Sequence, residues 1–216
     1  MKTIKIYLTI AKNLFILMTI TLISTTSLFA QVVAKSIVPN IVVSSDSNSE
    51  FAVIRYENNK GQNGGNLPAN IWRTRPLNVT QVAVATTNSG VTEWVKLEDN
   101  DRFTLKQGSY IINATAIAYS ANSHKIRLRD VTNNKTPIIG LSKFAYAHGA
   151  PGNTWVDNSS VLSGIINVSS TSQFELQHIS TRDHGAAALG VSFSGPGEDT
   201  EKDVYTIIEI LRVAEN

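Results

Sequence analysis

The chain has 216 residues, room for one domain of ordinary size and a short extra segment but not for two large domains. Charged residues make up 17% and there is no cysteine, which excludes disulfides, thiolate metal sites, a cysteine nucleophile and a lipoprotein-type anchor. Lys and Arg total 19 against 17 acids, but Lys2, Lys5 and Lys12 precede residue 31 and no acid does; without that segment the count is 16 against 17, so no excess positive charge remains to favour a nucleic-acid partner.

Residues 1–30 carry basic residues first, then an apolar run from Leu14 to Ile23, then Ser24 to Ser27 and the small Ala30. This order is that of a secretory signal, cleaved near Ala30–Gln31. A membrane anchor would need about 20 predominantly apolar residues, whereas here Ser and Thr interrupt the run and no basic stop follows. No stable membrane span is therefore expected after cleavage. Residues 31–50 alternate weakly and end in a Ser-rich stretch, which reads as an arm or linker.

From residue 51 to 216, short β-branched and aromatic runs recur between Gly, Asn, Asp and Pro, the rhythm of a sandwich or barrel with about ten strands. The runs are Phe51–Tyr56, Val79–Thr86, Glu93–Leu97, Arg102–Leu105, Ser109–Tyr119, Lys125–Val131, Pro137–Leu141, Ser160–Val168, Gln173–Ile179, Ala187–Phe193 and Val204–Val213. Little helix is expected, because no long window carries a helical apolar period. Alternation selects the inward faces: Ile126 and Leu128 against Lys125, Arg127 and Arg129; Phe174 and Leu176 against Gln173, Glu175 and Gln177; and Tyr110, Ile112, Ala114, Ala116 and Ala118 together. Small alanines there predict close approach by the facing sheet. The last strand is apolar on both faces, so Ile208 and Leu211 are expected at a contact with a second chain.

Several blocks recur with family-like order and spacing: Gly64-Gly65, Trp72-Arg73-Thr74-Arg75 with Leu77-Asn78, Phe103-Thr104-Leu105 leading to Gly108-Ser109-Tyr110, and His124 to Leu128. Ser160 to Gly164, Phe174 to His178, Leu189-Gly190 and Val204-Tyr205 complete the set. Over about three quarters of the chain they resemble the jelly-roll domain of phage tail-fibre and virion structural proteins, which belongs with the tumour-necrosis-factor and complement-type globular heads. The resemblance implies an all-β, antiparallel jelly-roll sandwich. It also implies a homotrimer that displays a receptor- or ligand-binding head without catalysis. A phage fibre carries no signal peptide, so the leader points to an exported bacterial protein built on the same head. The charged-aromatic group Trp72, Arg73 and Arg75 reads either as a ligand site or, as the resemblance implies, as a subunit contact.

Chemical motifs are sparse. Gly190-Val191-Ser192-Phe193-Ser194 lacks the second glycine of a nucleophile elbow and falls in an expected strand. Metalloprotease, Walker and dinucleotide motifs are absent. His124 and His178 fall in phase with core residues and are expected to be hydrogen-bonded core or interface residues; a metal would need one histidine triplicated on a three-fold axis. The acidic runs Glu98 to Asp101 and Glu198 to Glu201 with Asp203 read as solvated turns or as calcium ligands. No resident metal or cofactor is expected. The loop from Phe144 to Asn158 is long, glycine-rich and aromatic. There Tyr146, His148, Trp155 and Asp157 are candidate ligand-binding residues for a glycan, by ring stacking and directional hydrogen bonds; the other reading has Trp155 capping the core.

The functional expectation is an exported binding or structural module, a homotrimer carrying ligand loops for a glycan or cell-surface receptor. The second reading is a secreted polysaccharide hydrolase or lyase, whose mark would be paired carboxylates across a groove. Mass spectrometry of the exported protein should find Gln31, or a close neighbour, as the first residue; Met1 intact on membrane-bound protein would replace secretion with anchoring.

Overall fold

The computed structural model describes residues 50–84, 94–145, 156–193, 195–196 and 200–214. The expected leader and arm fall almost wholly outside these residues. Where β-branched and aromatic residues alternate with polar ones the chain is extended. The strands are β1 (Glu50–Asn59), β2 (Arg73–Thr74), β3 (Val79–Val84), β4 (Val95–Leu97), β5 (Phe103–Leu105) and β6 (Gly108–Tyr119). They continue with β7 (Asn122–Asp130), β8 (Lys135–Ile139), β9 (Lys143–Ala145), β10 (Asp157–Val168), β11 (Ser172–Ser180) and β12 (Lys202–Ala214). Among the described residues the only helical element is a 3-10 turn at Gly185–Ala187.

Two antiparallel sheets face each other. Sheet A runs β10-β6-β12-β1-β3; sheet B runs β4-β5-β11-β7-β8, with β2 added beside β11 and β9 beside β7. Chain neighbours repeatedly fall in opposite sheets while β12 lies between β1 and β6, and β11 between β5 and β7. This is the jelly-roll form of an antiparallel β-sandwich.

The expected inward faces hold. Tyr110, Ile112, Ala114, Ala116 and Ala118 of β6 are buried, as are Ile126 and Leu128 of β7 and Phe174 and Leu176 of β11. Trp94 stacks on Tyr110 and Phe103 on Phe174, each with ring centroids 5.8 Å apart, filling the space between the sheets.

Three expectations change. Ala187–Phe193 is no strand: the backbone turns back there, with Leu189 N–H donating to Gly65 O and Gly64 N–H to Gly190 O. Its apolar alternation only mimics strand period. β2 and β9 have two and three residues, too short for a period to register. Beyond Tyr205 the last strand is buried on one face only. Thr206, Ile208 and Ile210 point into the chain's own core, whereas Ile207 and Val213 remain 38% and 40% exposed on the outside of sheet A. Ile208 is thus a core residue of the single chain, and no contact with a second copy is needed to bury it.

Gly190 has φ of 131°, and a Cβ built on it would stand 2.4 Å from Cδ1 of Tyr205. Strain and overlap both oppose a side chain, so Gly190→Ala should lower stability by about 2–3 kcal/mol, read as a fall in melting temperature with unchanged β-sheet circular dichroism.

Candidate functional site

Arg75 leaves the end of β2 and enters the space between the sheets, where it is fully buried. All five guanidinium donors are engaged. Nε donates to Thr206 Oγ1 at 2.9 Å, Nη2 to Tyr205 O at 2.7 Å and Leu189 O at 3.2 Å, and Nη1 to Ile117 O at 3.2 Å. The fifth donor points to His178 Nδ1 at 3.5 Å. No carboxylate takes part. Burial pushes the guanidinium down to about 9, offset in part by Tyr56, so it keeps its charge at neutral pH.

The charge sets the tautomers beyond it. Arginine only donates, so His178 accepts at Nδ1 and carries its proton on Nε2. That N–H faces His124 Nδ1 at 3.0 Å, which leaves the single ring proton of His124 on Nε2, a buried atom without a hydrogen-bond partner. Burial first, then the Arg75 charge, then Lys143, push His124 down to about 4. Burial, Arg75 and His124 hold His178 well below its ordinary value. Both rings are neutral at pH 7. The two histidines therefore bond to each other inside the single chain.

The other expected site residues separate. Tyr146, His148 and Trp155 lie outside the described residues, while Asp157 is exposed at the start of β10. Trp72 lies against the outside of sheet B, with the Arg127 guanidinium 4.1 Å from its ring centre, and Arg73 is exposed beside it. Arg75 and Ile208 lie inside, and Leu211 is half-buried on the outside of sheet A.

The acids are mostly spoken for. Glu98 accepts from Lys96 and Thr104, and Asp101 accepts from Leu77 N–H. Asp203 accepts from Phe193 N–H, and Glu201 pairs with Lys60. Among the described residues no three His, Asp or Glu side chains cluster as metal ligands. A cleft of about 690 Å³ opens between β8 and β10, and Asp130 is the carboxylate of its lining. Asp130 is held by the backbone and side chain of Asn133, with no second acid opposite, so this cleft lacks the carboxylate pair of a glycosidase.

Sequence reasoning placed the histidines inside but missed their link to Arg75. The only signal was an arginine set two residues from Arg73 in a segment too short to show which of the two turns inward.

No family model matches the chain, and no curated protein matches it. Among solved structures it is similar to the globular domain of zebrafish complement 1qA protein, at 12% identity and a TM-score of 0.40 over 79% of this chain and 100% of that one. It is also similar to the Eiger TNF of S. frugiperda, at 11% identity and a TM-score of 0.44 over 79% and 96%. The sandwich assignment stands on this chain's own strand order and registers.

The buried histidine pair has a pH consequence. Both rings bind protons less readily folded than unfolded, so their contribution is present above the ordinary value of 6.5 and is lost as pH falls toward about 4. The melting temperature should hold steady above pH 7 and fall between 6.5 and 4, less steeply in His124→Gln, whose amide oxygen still accepts from His178.

Proposed function

We propose that the mature chain is an exported, homotrimeric binding head that captures a glycan or surface receptor and performs no chemistry. The observation that carries this reading is the distribution of uncovered apolar side chains. One patch is the outside of sheet A: Phe51 on β1, Ile165 on β10 at 67% exposed, and Ile207, Leu211 and Val213 on β12. The other lies at the β8 edge of sheet B, with Ile139 65% and Leu141 60% exposed. Two different apolar patches on one chain fit a head-to-tail contact, and such contacts close into rings. Three copies is the closed form that the sequence resemblance implies. Ligand capture is assigned to the loop over 144–158, with Tyr146, His148, Trp155 and Asp157 as the contacts, since a rigid β scaffold carries recognition on its loops. Secretion follows from the leader; the likeness to tail-fibre heads is one of architecture, and the role proposed here is bacterial.

Light scattering on the mature protein should give three times the chain mass at micromolar concentration. Ile207→Asp, on the outside of sheet A, should leave a folded monomer. Ile208→Asp, one residue on and facing the core, should instead unfold the chain, since an unpaired buried charge costs several kcal/mol. A monomeric wild type would sink the assembly, and a glycan array without signal would leave the receptor as the ligand.

A further inference from the structure

The outside of sheet B differs in chemistry from the outside of sheet A. Strand alternation lines up Lys125, Arg127 and Arg129 on the solvent side of β7, in steps of about 7 Å along a rigid strand. The one acid of the neighbouring strand, Glu175, is already engaged by Arg102 at 2.9 Å and Thr74 at 3.0 Å, and also accepts from Gln177. Arg127 donates Nε to Gln177 Oε1 at 2.7 Å and stacks on Trp72, and Arg129 reaches Asn134 and Thr136; these partners are all uncharged. Among the described residues none of the three cations has a carboxylate within salt-bridge distance. Burial first, and then Arg129, lower the proton affinity of Arg127, with Glu175 opposing them in part.

Beside this row lies a shallow depression of about 250 Å³. Asn70, Ser123, Ser142 and Thr181 bring amide and hydroxyl groups to a lining that is otherwise largely apolar, with Ile179 and His124 in it and Lys125 beside them. Cations in a line, an indole, and a hollow edged with hydroxyl and amide groups together suit a polymer that bears both anionic groups and sugar hydroxyls. A single-stranded nucleic acid would want an overall positive partner, and the chain has no positive excess once residues 1–30 are set aside.

We propose that the outer face of sheet B is a binding surface for a linear anionic polysaccharide, its carboxylate or sulfate groups held by Lys125, Arg127 and Arg129 and its hydroxyls by the adjoining depression. This surface lies on the other side of the sandwich from the outside of sheet A, with Ile139 of β8 directly across from Arg127 and Phe144 of β9 across from Ser123.

The test uses the mature protein with dextran sulfate as probe and neutral dextran of matched length as control. Dextran sulfate should bind and dextran should not, and added salt should weaken the complex. The triple variant Lys125→Gln/Arg127→Gln/Arg129→Gln should lose affinity about tenfold or more at an unchanged melting temperature. Lys60→Gln/Lys106→Gln/Lys202→Gln, which removes the same charge elsewhere, should bind as wild type. On the unmodified protein, hydrogen-exchange protection by dextran sulfate should fall on β7 and β11. Equal losses in both triples, no binding by the wild type, tighter binding of a single-stranded oligonucleotide at the same salt, or protection centred on β12 or residues 144–158 would each overturn the proposal.

Discussion

The sandwich is closed at one end by a single buried charge. Arg75 starts in sheet B, and its guanidinium ties together the backbone of β6 and β12 in sheet A, the turn at Leu189 and the ring of His178 in sheet B. Removing a charge from water costs several kcal/mol, and here the offset comes from three carbonyl dipoles, a hydroxyl and a ring nitrogen in place of an acid. Each of those carbonyls would in turn lose a charged donor without it. The cation and its cage therefore require each other, which fixes how β12, β6 and the Leu189 turn meet. Ala116 and Ala118 flank Ile117, and their small side chains leave room for the guanidinium to reach the Ile117 carbonyl.

The same end shows how close packing turns local chemistry into geometry. Tyr205 has outward parity on β12, yet the turns bearing Gly64 and Gly190 lie on its ring and bury it. Its hydroxyl donates to Gln62 O at 2.6 Å, and burial, with Asp203 and Tyr56 nearby, pushes its pKa up to about 12. Gly64 and Gly190 are needed because a Cβ at either would meet Leu189 O at 2.7 Å or the Tyr205 ring. One tyrosine and two glycines thus join the first loop of the domain to its last strand.

Beyond this end the two sheets turn unlike surfaces outward. Sheet A shows Phe51, Ile207 and Val213 among few charges, whereas sheet B shows the Lys125–Arg127–Arg129 row with Trp72. A strand pleat alternates sides with every residue, so one buried core imposes two independent outer faces. Each is free to take its own composition. Covering the outside of sheet A would leave the Lys125–Arg127–Arg129 row to solvent, whereas a contact at Ile139, directly across from Arg127, would border on it.

The amino-acid sequence alone determined the β class, the strand runs and which side of β6, β7 and β11 faces the core, because a period of two is a local property that six to twelve residues can display. It also placed His124 and His178 inside, by phase with Ile126, Leu128, Phe174 and Leu176. Tertiary structure decided the rest. A fully apolar strand such as β12 does not say which side is covered, and Ile208 proved to be core while Ile207 is outside. Apolar alternation at Ala187–Phe193 could not reveal that backbone bonds to Gly64 and Gly65 turn it back. The choice of Arg75 over Arg73 as the buried cation depends on carbonyls from residues 117, 189 and 205, whose meeting point exists only once both sheets are closed.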